Sequence, residues 1–329
     1  MRFVKVLALL LCLILVILPL SACKDEEEGL PKDDTVYYTV KFSTAGGSAV
    51  ADVKAAAGSK IKAPDNPVKE GYIFDGWRYD KGLWSFDINT VTSDLTLTAV
   101  WIDARSVFEY EVKDGEAVIT KYDGQIEVLE IPTQLGGYPV VAVGDNAFYE
   151  TPADYTRQIT LGENIRSIGA MAFYNSIDVK IYVEGEIEYV GEKAFYGCNK
   201  LESIKFGSGM ESVPFEAFSG CEGLRSVVFS DTVSDIGENA FELCASLQTV
   251  TFYGSLKTIQ DCAFESCESL EAIYFIGSEE EFDAIEISMG NDGNAAVVDA
   301  KLFFYSETQP EDSELQYWYY DTNGKIRIW

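Results

Sequence analysis

The chain has 329 residues, 47 % of them apolar and 13 % aromatic, which is ample for packed cores and excludes a disordered chain. Twenty-five basic residues stand against 54 acidic ones, a net charge of −29. That field repels phosphate backbones and anionic lipid headgroups, so a nucleic-acid partner is not expected.

The chain opens with Arg2 and Lys5, an apolar run from Val6 to Leu18, and Leu20-Ser21-Ala22-Cys23. The run is shorter than a spanning helix needs and reads as a secretory signal. Its end resembles a bacterial lipobox. That resemblance implies a lipoprotein signal peptide over 1–22, cleavage before Cys23 and lipid attachment to the Cys23 thiol, with the membrane touched through the anchor only. Residues 23–35, charged from Lys24 through Glu28 to Asp34, form an acidic tether that cannot pack a core. Lys followed by acids after the lipobox also resembles a surface-export signal of Bacteroidetes lipoproteins; a solvated stalk is the plainer alternative.

Over 36–102 the pattern becomes alternating strands punctuated by glycines. Val40 and Phe42 alternate before Gly46-Gly47, Pro64 and Pro67 interrupt, and Leu95, Leu97, Ala99 and Trp101 alternate at the end. The phrases VKFSTAGGSAV, KEGYIFDGW and TSDLTLTAVW are similar to the Listeria–Bacteroides repeat of internalin-like proteins, which implies a β-grasp-like fold acting as a spacer or weak interaction module. Trp77, Trp84 and Trp101 fit either a sugar-stacking platform or, since a domain this small needs large rings inside, its core.

Residues 105–329 begin with Phe108, Tyr110, Val112, Asp114-Gly115, Ala117 and Ile119, a hairpin placed to close the first of a series of repeats. Leu201, Ile204, Phe206, Val213, Ala217, Phe218 and Cys221 then recur 23 residues on as Leu224, Val227, Phe229, Ile236, Ala240, Phe241 and Cys244. Another step gives Leu247, Val250, Phe252, Ile259, Ala263, Phe264 and Cys267. Ala-Phe pairs at Ala147, Ala172 and Ala194 extend the series upstream, so six pairs mark six turns. A unit this short cannot bury its own apolar face, so the copies must stack as a solenoid, with a short strand on one side of each turn and a return on the other. From Ile126 to Phe275 the repeat resembles the BspA or Treponema pallidum type of leucine-rich repeat. It departs at Asn175 to Val179, where Cys-x-x-Leu is expected, and around Pro152. The resemblance implies cell-surface adhesion or protein binding without a shared chemistry. The whole chain thus reads as mainly β with short helical turns: a small β-grasp-like domain followed by a leucine-rich-repeat solenoid of about six turns. Beyond the repeats, the acidic run Glu279 to Asp283 predicts a loop or short helix, and Tyr317–Tyr320, Asn323-Gly324 and Ile326–Trp329 predict a second hairpin.

No histidine is present, which removes the commonest general base and transition-metal ligand. No phosphate-binding loop, dinucleotide fingerprint or nucleophile elbow is found. Neither an enzyme nor a cofactor is expected. Asn291, Asp292, Gly293 and Asn294 offer oxygen ligands but lack the spaced acids of a calcium loop, and read as a polar turn. Cys198, Cys221, Cys244 and Cys267 share one inward column, at a turn spacing that would permit disulfides; as small apolar filler they are expected to be buried free thiols, and no paired zinc pattern occurs.

If Ile204 and Phe206 point inward, Lys205 points out, and the same alternation places Thr160, Tyr182, Val228, Thr251 and Tyr274 on one outward column. These positions vary while the inward ones repeat, which suits a recognition face; ordinary solvated strand positions are the alternative. The chain therefore reads as a lipid-anchored, extracytoplasmic surface protein whose solenoid binds a protein on a host or neighbouring cell. The rival is a glycan-binding surface lipoprotein.

Overall fold

The computed structural model describes residues 35–80, 82–310 and 315–329. The signal segment, Cys23 and the tether up to residue 34 lie outside the described residues.

In the N-terminal module, strands β1 (Tyr37–Ser43), β2 (Val53–Ala56), β3 (Tyr72–Tyr79), β4 (Gly82–Leu83) and β5 (Leu95–Asp103) form one sheet in the order β2-β1-β5-β3-β4. β1 and β5 run parallel, and the other pairs are antiparallel. The rings are core. Trp77 and Trp84 are buried, and Phe42 and Phe74 meet Trp77 edge-on at 4.8 and 5.3 Å. Half-buried Trp101 donates its indole N–H to Thr44 O at 2.9 Å and packs so close that a Cβ at Gly47 would fall 2.5 Å from its ring. This module offers no tryptophan platform: the rings are spent on filling a small interior.

Strand β3 also reaches beyond its own sheet. Ile73, 2 % exposed, packs with the solenoid core, and Asn66 Nδ2 donates to Glu130 Oε1 at 2.8 Å. Tyr37 to Trp329 consequently forms one compact unit.

The solenoid starts with the antiparallel hairpin β6 (Phe108–Lys113) and β7 (Glu116–Tyr122), whose turn residues Asp114 and Gly115 both take positive φ. From there each turn adds one longer strand to an outer sheet and one short strand to a second sheet. The outer sheet comprises Val128–Glu130, Gln158–Leu161 and Lys180–Val183, then Ser203–Lys205, Ser226–Val228, Thr249–Tyr253, Ala272–Ile276, Lys301–Tyr305 and Gln316–Tyr320, all parallel, with Ile326–Ile328 returning antiparallel as the second hairpin. Both ladders are interrupted at one turn, between Val183 and Ser203 and between Val190 and Ser212, where a single bridge joins Ile187 to Phe206. There the inward column that follows the strand changes from Ile131, Leu161 and Val183 to Phe206, Phe229, Phe252 and Phe275. Regular pairing resumes where ring lies on ring, at 5.3 Å for Phe206 and Phe229.

A continuous stack of rings runs through the core. Phe148, Phe173, Phe195, Phe218, Phe241 and Phe264 lie face to face with centroids 5.0, 5.3, 5.4, 5.2 and 5.2 Å apart. The alanine before each ring is buried and leaves room for the neighbouring one. Each Phe N–H donates to the alanine carbonyl of the following turn, as from Phe218 to Ala240 and from Phe241 to Ala263, both at 2.8 Å. Phe264 has no such turn after it. The buried Asn294 side chain takes over: its Oδ1 accepts from Phe264 N at 3.0 Å while Nδ2 donates to Gln260 O and Ser288 O. The polar turn read at Asn291–Asn294 thus terminates the ladder, between the two short helices Glu279–Asp283 and Ala295–Asp299.

The cysteine column is buried, and its thiols are free. Each Sγ donates to the phenylalanine carbonyl of the preceding turn, at 3.0 Å for Cys198 to Phe173 and 3.2 Å for Cys221 to Phe195. Ser176 and Val179 occupy the Cys and Leu positions in the deviant copy, and Ser176 Oγ makes the same bond to Phe148 O. That departure keeps the bond to the preceding turn, while Asp178 takes a positive φ that Lys200, its counterpart one turn on, does not.

Each return loop contains residues of positive φ, including a column formed by Asn175, Gly197, Gly220, Leu243 and Ser266. Leu243, with φ 60° and 49 % exposed, suffers the left-handed penalty and gains little burial in return. Leu243→Gly is therefore expected to stabilise by about 0.5 kcal/mol after the extra unfolded-state entropy of glycine is subtracted. A higher urea midpoint supports this; a lower one contradicts it.

Candidate functional site: the outer sheet face

Strand alternation sends Leu, Ile, Val and Phe into the core and leaves the other face of the outer sheet to residues that change from turn to turn. Thr160 lies between Glu130 and Tyr182, each its direct partner across the strands. Thr160 is half-buried, and Tyr182 is 42 % exposed. Both line a shallow groove of about 640 Å³ together with Glu130, Thr133, Gln158 and Glu184. Two carboxylates, an amide and hydroxyls beside one exposed ring give the groove both donors and acceptors.

The sheet interruption separates Tyr182 from Lys205. Lys205 is exposed and ion-paired with Glu186, a contact between surface groups that contributes little to stability. Past it Lys205, Val228, Thr251 and Tyr274 are direct partners in series. Val228 and Tyr274 are half-buried.

Thr251 requires a correction: it faces outward yet is only 2 % exposed. The outer face carries an apolar layer of its own here. Ala272, Phe303 and Trp318 are buried in it, with Tyr274, Ile276, Tyr305 and Ile326 packed around them. Tyr274 stacks on Phe303 at 5.5 Å and meets Trp318 edge-on at 5.3 Å. Burial pushes the Tyr274 hydroxyl above the usual phenol range. The expected column is therefore two surfaces: a polar groove around Thr160 and Tyr182, and an aromatic bank from Tyr274 onward. A sequence signal for the bank existed. Outward positions Tyr274, Phe303, Tyr305, Trp318 and Tyr320 are all aromatic, where earlier strands place Glu130, Thr160 and Lys205.

Another tyrosine row lies on the return loops. Tyr149, Tyr174 and Tyr196 stack at 5.1 and 4.9 Å. Cys262 is half-buried, and hydrogen bonding to Glu265, burial and nearby carboxylates push its thiol up to about 11, so it stays protonated at neutral pH.

This architecture is that of a leucine-rich repeat scaffold. Residues 141–271 match the BspA type leucine rich repeat region in six copies, and residues 38–100 match the Listeria–Bacteroides repeat domain. The chain thus carries a BspA-type leucine-rich repeat region joined to an N-terminal Listeria–Bacteroides repeat. Two relatives from Evansella cellulosilytica are similar over short stretches. One, by name a Gly-rich membrane protein, is 41 % identical over 102 residues, 29 % of this chain and 12 % of its own; the other, by name a membrane protein, is 46 % identical over 84 residues, 25 % and 13 %. The chain spans about one eighth of the length of either relative. Among solved structures, a Treponema pallidum leucine-rich repeat protein aligns with TM-score 0.46 at 25 % identity over 60 % of this chain and 95 % of that one. A leucine-rich cell surface protein from Faecalibacterium prausnitzii aligns with TM-score 0.48 at 25 % identity over 68 % and 59 %.

Proposed function

We propose that this chain is a cell-surface scaffold, lipid-anchored through Cys23, that uses the outer sheet face of its solenoid to bind a protein on a host or neighbouring cell. The observation that carries the reading is the contrast between the faces: inward positions repeat from turn to turn, while outward ones change on a rigid framework and include exposed Tyr182 beside a groove. The names of the two Evansella relatives, both membrane proteins, agree with an envelope location. Glycan binding is the second reading, favoured by the mixed carboxylate, amide and hydroxyl lining beside the Tyr182 ring.

One experiment with two arms tests it. Cys23→Ala should abolish fatty-acid labelling of the protein, and labelling that survives removes the anchor. Tyr182→Ala should weaken adherence to target cells about tenfold, the loss typical of an exposed aromatic anchor, with the melting transition unchanged. Unaltered adherence by a folded Tyr182→Ala protein moves the site off this face. On a glycan array, saturable sugar binding that Tyr182→Ala removes favours the second reading; the buried Trp77 and Trp84 are unsuitable for that test.

A further inference from the structure

The C-terminal part of the outer face has a chemistry of its own. Tyr274 and Tyr305 pack on the buried floor of Ala272, Phe303 and Trp318, Tyr320 meets Trp318, and Tyr253 lies near Tyr320. Tyr305 and Tyr320 meet Trp318 edge-on at 5.1 and 4.9 Å, and Tyr305 and Tyr320 lie 6.2 Å apart. Burial and then the neighbouring phenols of Tyr253 and Tyr305 push the Tyr320 hydroxyl up, so three phenol groups converge. Among the described residues the buried Trp318 indole N–H has no acceptor, so its ring is held by packing while its backbone is held by strand pairing.

Carboxylates flank these rings. Asp231 lies near enough to Tyr253 to help burial raise its hydroxyl. The Glu281 carboxylate would be 2.9 Å from a Cβ at Gly254, the residue after Tyr253, and Glu279 and Glu280 are exposed on the same helical turn. Asp231 and Glu279–Glu281 form no ion pair among the described residues, and Lys301, the register partner of Ala272, stands exposed on the same face. Among the described residues, the cation–ring contacts belong to Lys69 and Lys193, far from this bank, and Arg327 is tied to Asp321 at 3.0 Å. Aromatic faces are negative and attract ammonium or guanidinium groups, and adjacent carboxylates add a second attraction of the same sign. A phosphate or sulfated sugar meets repulsion here, and a neutral sugar gains hydrogen bonds from the acids but no charge attraction.

We propose that the tyrosine bank formed by Tyr253, Tyr274, Tyr305 and Tyr320, with Asp231 and the Glu279–Glu281 turn at its edge, docks an arginine- or lysine-rich segment of a partner polypeptide. This deepens the reading of the outer face as the binding surface and rests on it. Arginine is the better fit, because its flat guanidinium stacks on a ring and still offers N–H donors to a carboxylate.

The test uses the full mature protein, a blocked arginine–glycine repeat peptide and calorimetry. Wild type should bind saturably, and the same peptide with citrulline for arginine should not. Tyr274→Leu with Tyr320→Leu keeps apolar bulk but removes two π faces, and should weaken binding about tenfold. Tyr320→Phe keeps the ring and should keep the affinity, which guards against a folding artefact. Asp231→Asn should weaken binding more than Glu163→Gln, which removes the same charge far along the stack. Wild-type affinity in the leucine variant, equal binding of the citrulline peptide, or saturable binding of cellohexaose that the leucine variant loses would each overturn the proposal. Peptide binding lost in Tyr182→Ala but kept in the leucine variant overturns this inference alone and leaves the outer face as the binding surface. Peptide binding untouched by any of these variants overturns both.

Discussion

Phe218→Ala and Phe241→Ala are each expected to lower the unfolding free energy by about 3 to 5 kcal/mol, the cost of emptying a ring-sized cavity in a close-packed core. Each ring is sandwiched: Phe218 has Phe195 at 5.4 Å and Phe241 at 5.2 Å on its faces, and Phe206 edge-on at 5.8 Å. Removing it strips contacts from two turns at once. The outer turns cannot close the gap, because their strands and N–H to carbonyl bonds fix the spacing. Phe264 has a ring on one face only, with Phe252 edge-on at 6.2 Å, so Phe264→Ala should cost less than Phe241→Ala. Since a turn contacts only its neighbours, hydrogen exchange in Phe241→Ala should quicken first around the residue 227–264 strands and later near Val40 and Leu97. Urea unfolding gives the energies; a loss under about 1 kcal/mol would show that the ladder is not a stabilising element.

Alkaline instability is the second large effect. Burial holds the Cys198, Cys221 and Cys244 thiols well above the ordinary range, and Cys267 is pushed up to about 12. In the unfolded chain the same thiols ionise from about pH 8.5. A folded-state pKa above the unfolded value means that the stabilisation is complete below about pH 8.5 and is lost as pH rises toward the folded values. Each thiol then removes about 1.4 kcal/mol per pH unit, so the four together remove about 5 to 6 kcal/mol per unit. Tyrosines and lysines titrate in the same range, so the comparison must be with a variant. Serine does not titrate there, and Ser176 shows that a hydroxyl can make the bond to the preceding turn. Cys221→Ser with Cys244→Ser should flatten the fall in stability between pH 9 and 11 by about 2.7 kcal/mol per unit. An unchanged slope would mean that the thiols do not ionise on unfolding, or are not buried.

Much of this molecule was legible in the sequence. The Ala-Phe and Cys columns gave the stack, Asp114-Gly115 and Asn323-Gly324 gave the hairpins, and Ser278 to Glu281 forms a capping box at the start of the helix that the acidic run suggested. Alternation placed Thr160, Tyr182 and Tyr274 on the outward face. What it could not supply was the thickness of the layer above that face, which is why Thr251 was expected at the surface and is buried. Thr251 lies between Val228 and Tyr274, and Tyr274 in turn packs on Phe303 and Trp318, in strands added after the last recognisable repeat. Ile73 was hidden for the same reason. Its alternation is satisfied equally by its own small sheet and by the solenoid, and only the folded chain shows which core it joins. Asn294 stood in a run whose composition announces a turn. Its role as substitute for a missing carbonyl exists only because Phe264 is the last ring of the ladder.

The most direct measurement of the binding surface is tyrosine-directed covalent footprinting of the protein on its own cells, alone and in contact with the cells it adheres to. Tyrosines on the two sides of the solenoid serve as internal controls. Contact should protect Tyr182, Tyr274 and Tyr320 on the outer sheet and leave the return-loop row of Tyr149, Tyr174 and Tyr196 labelled as before. Protection of the return-loop row, with the sheet tyrosines unchanged, would contradict the account and place recognition on the opposite side of the stack.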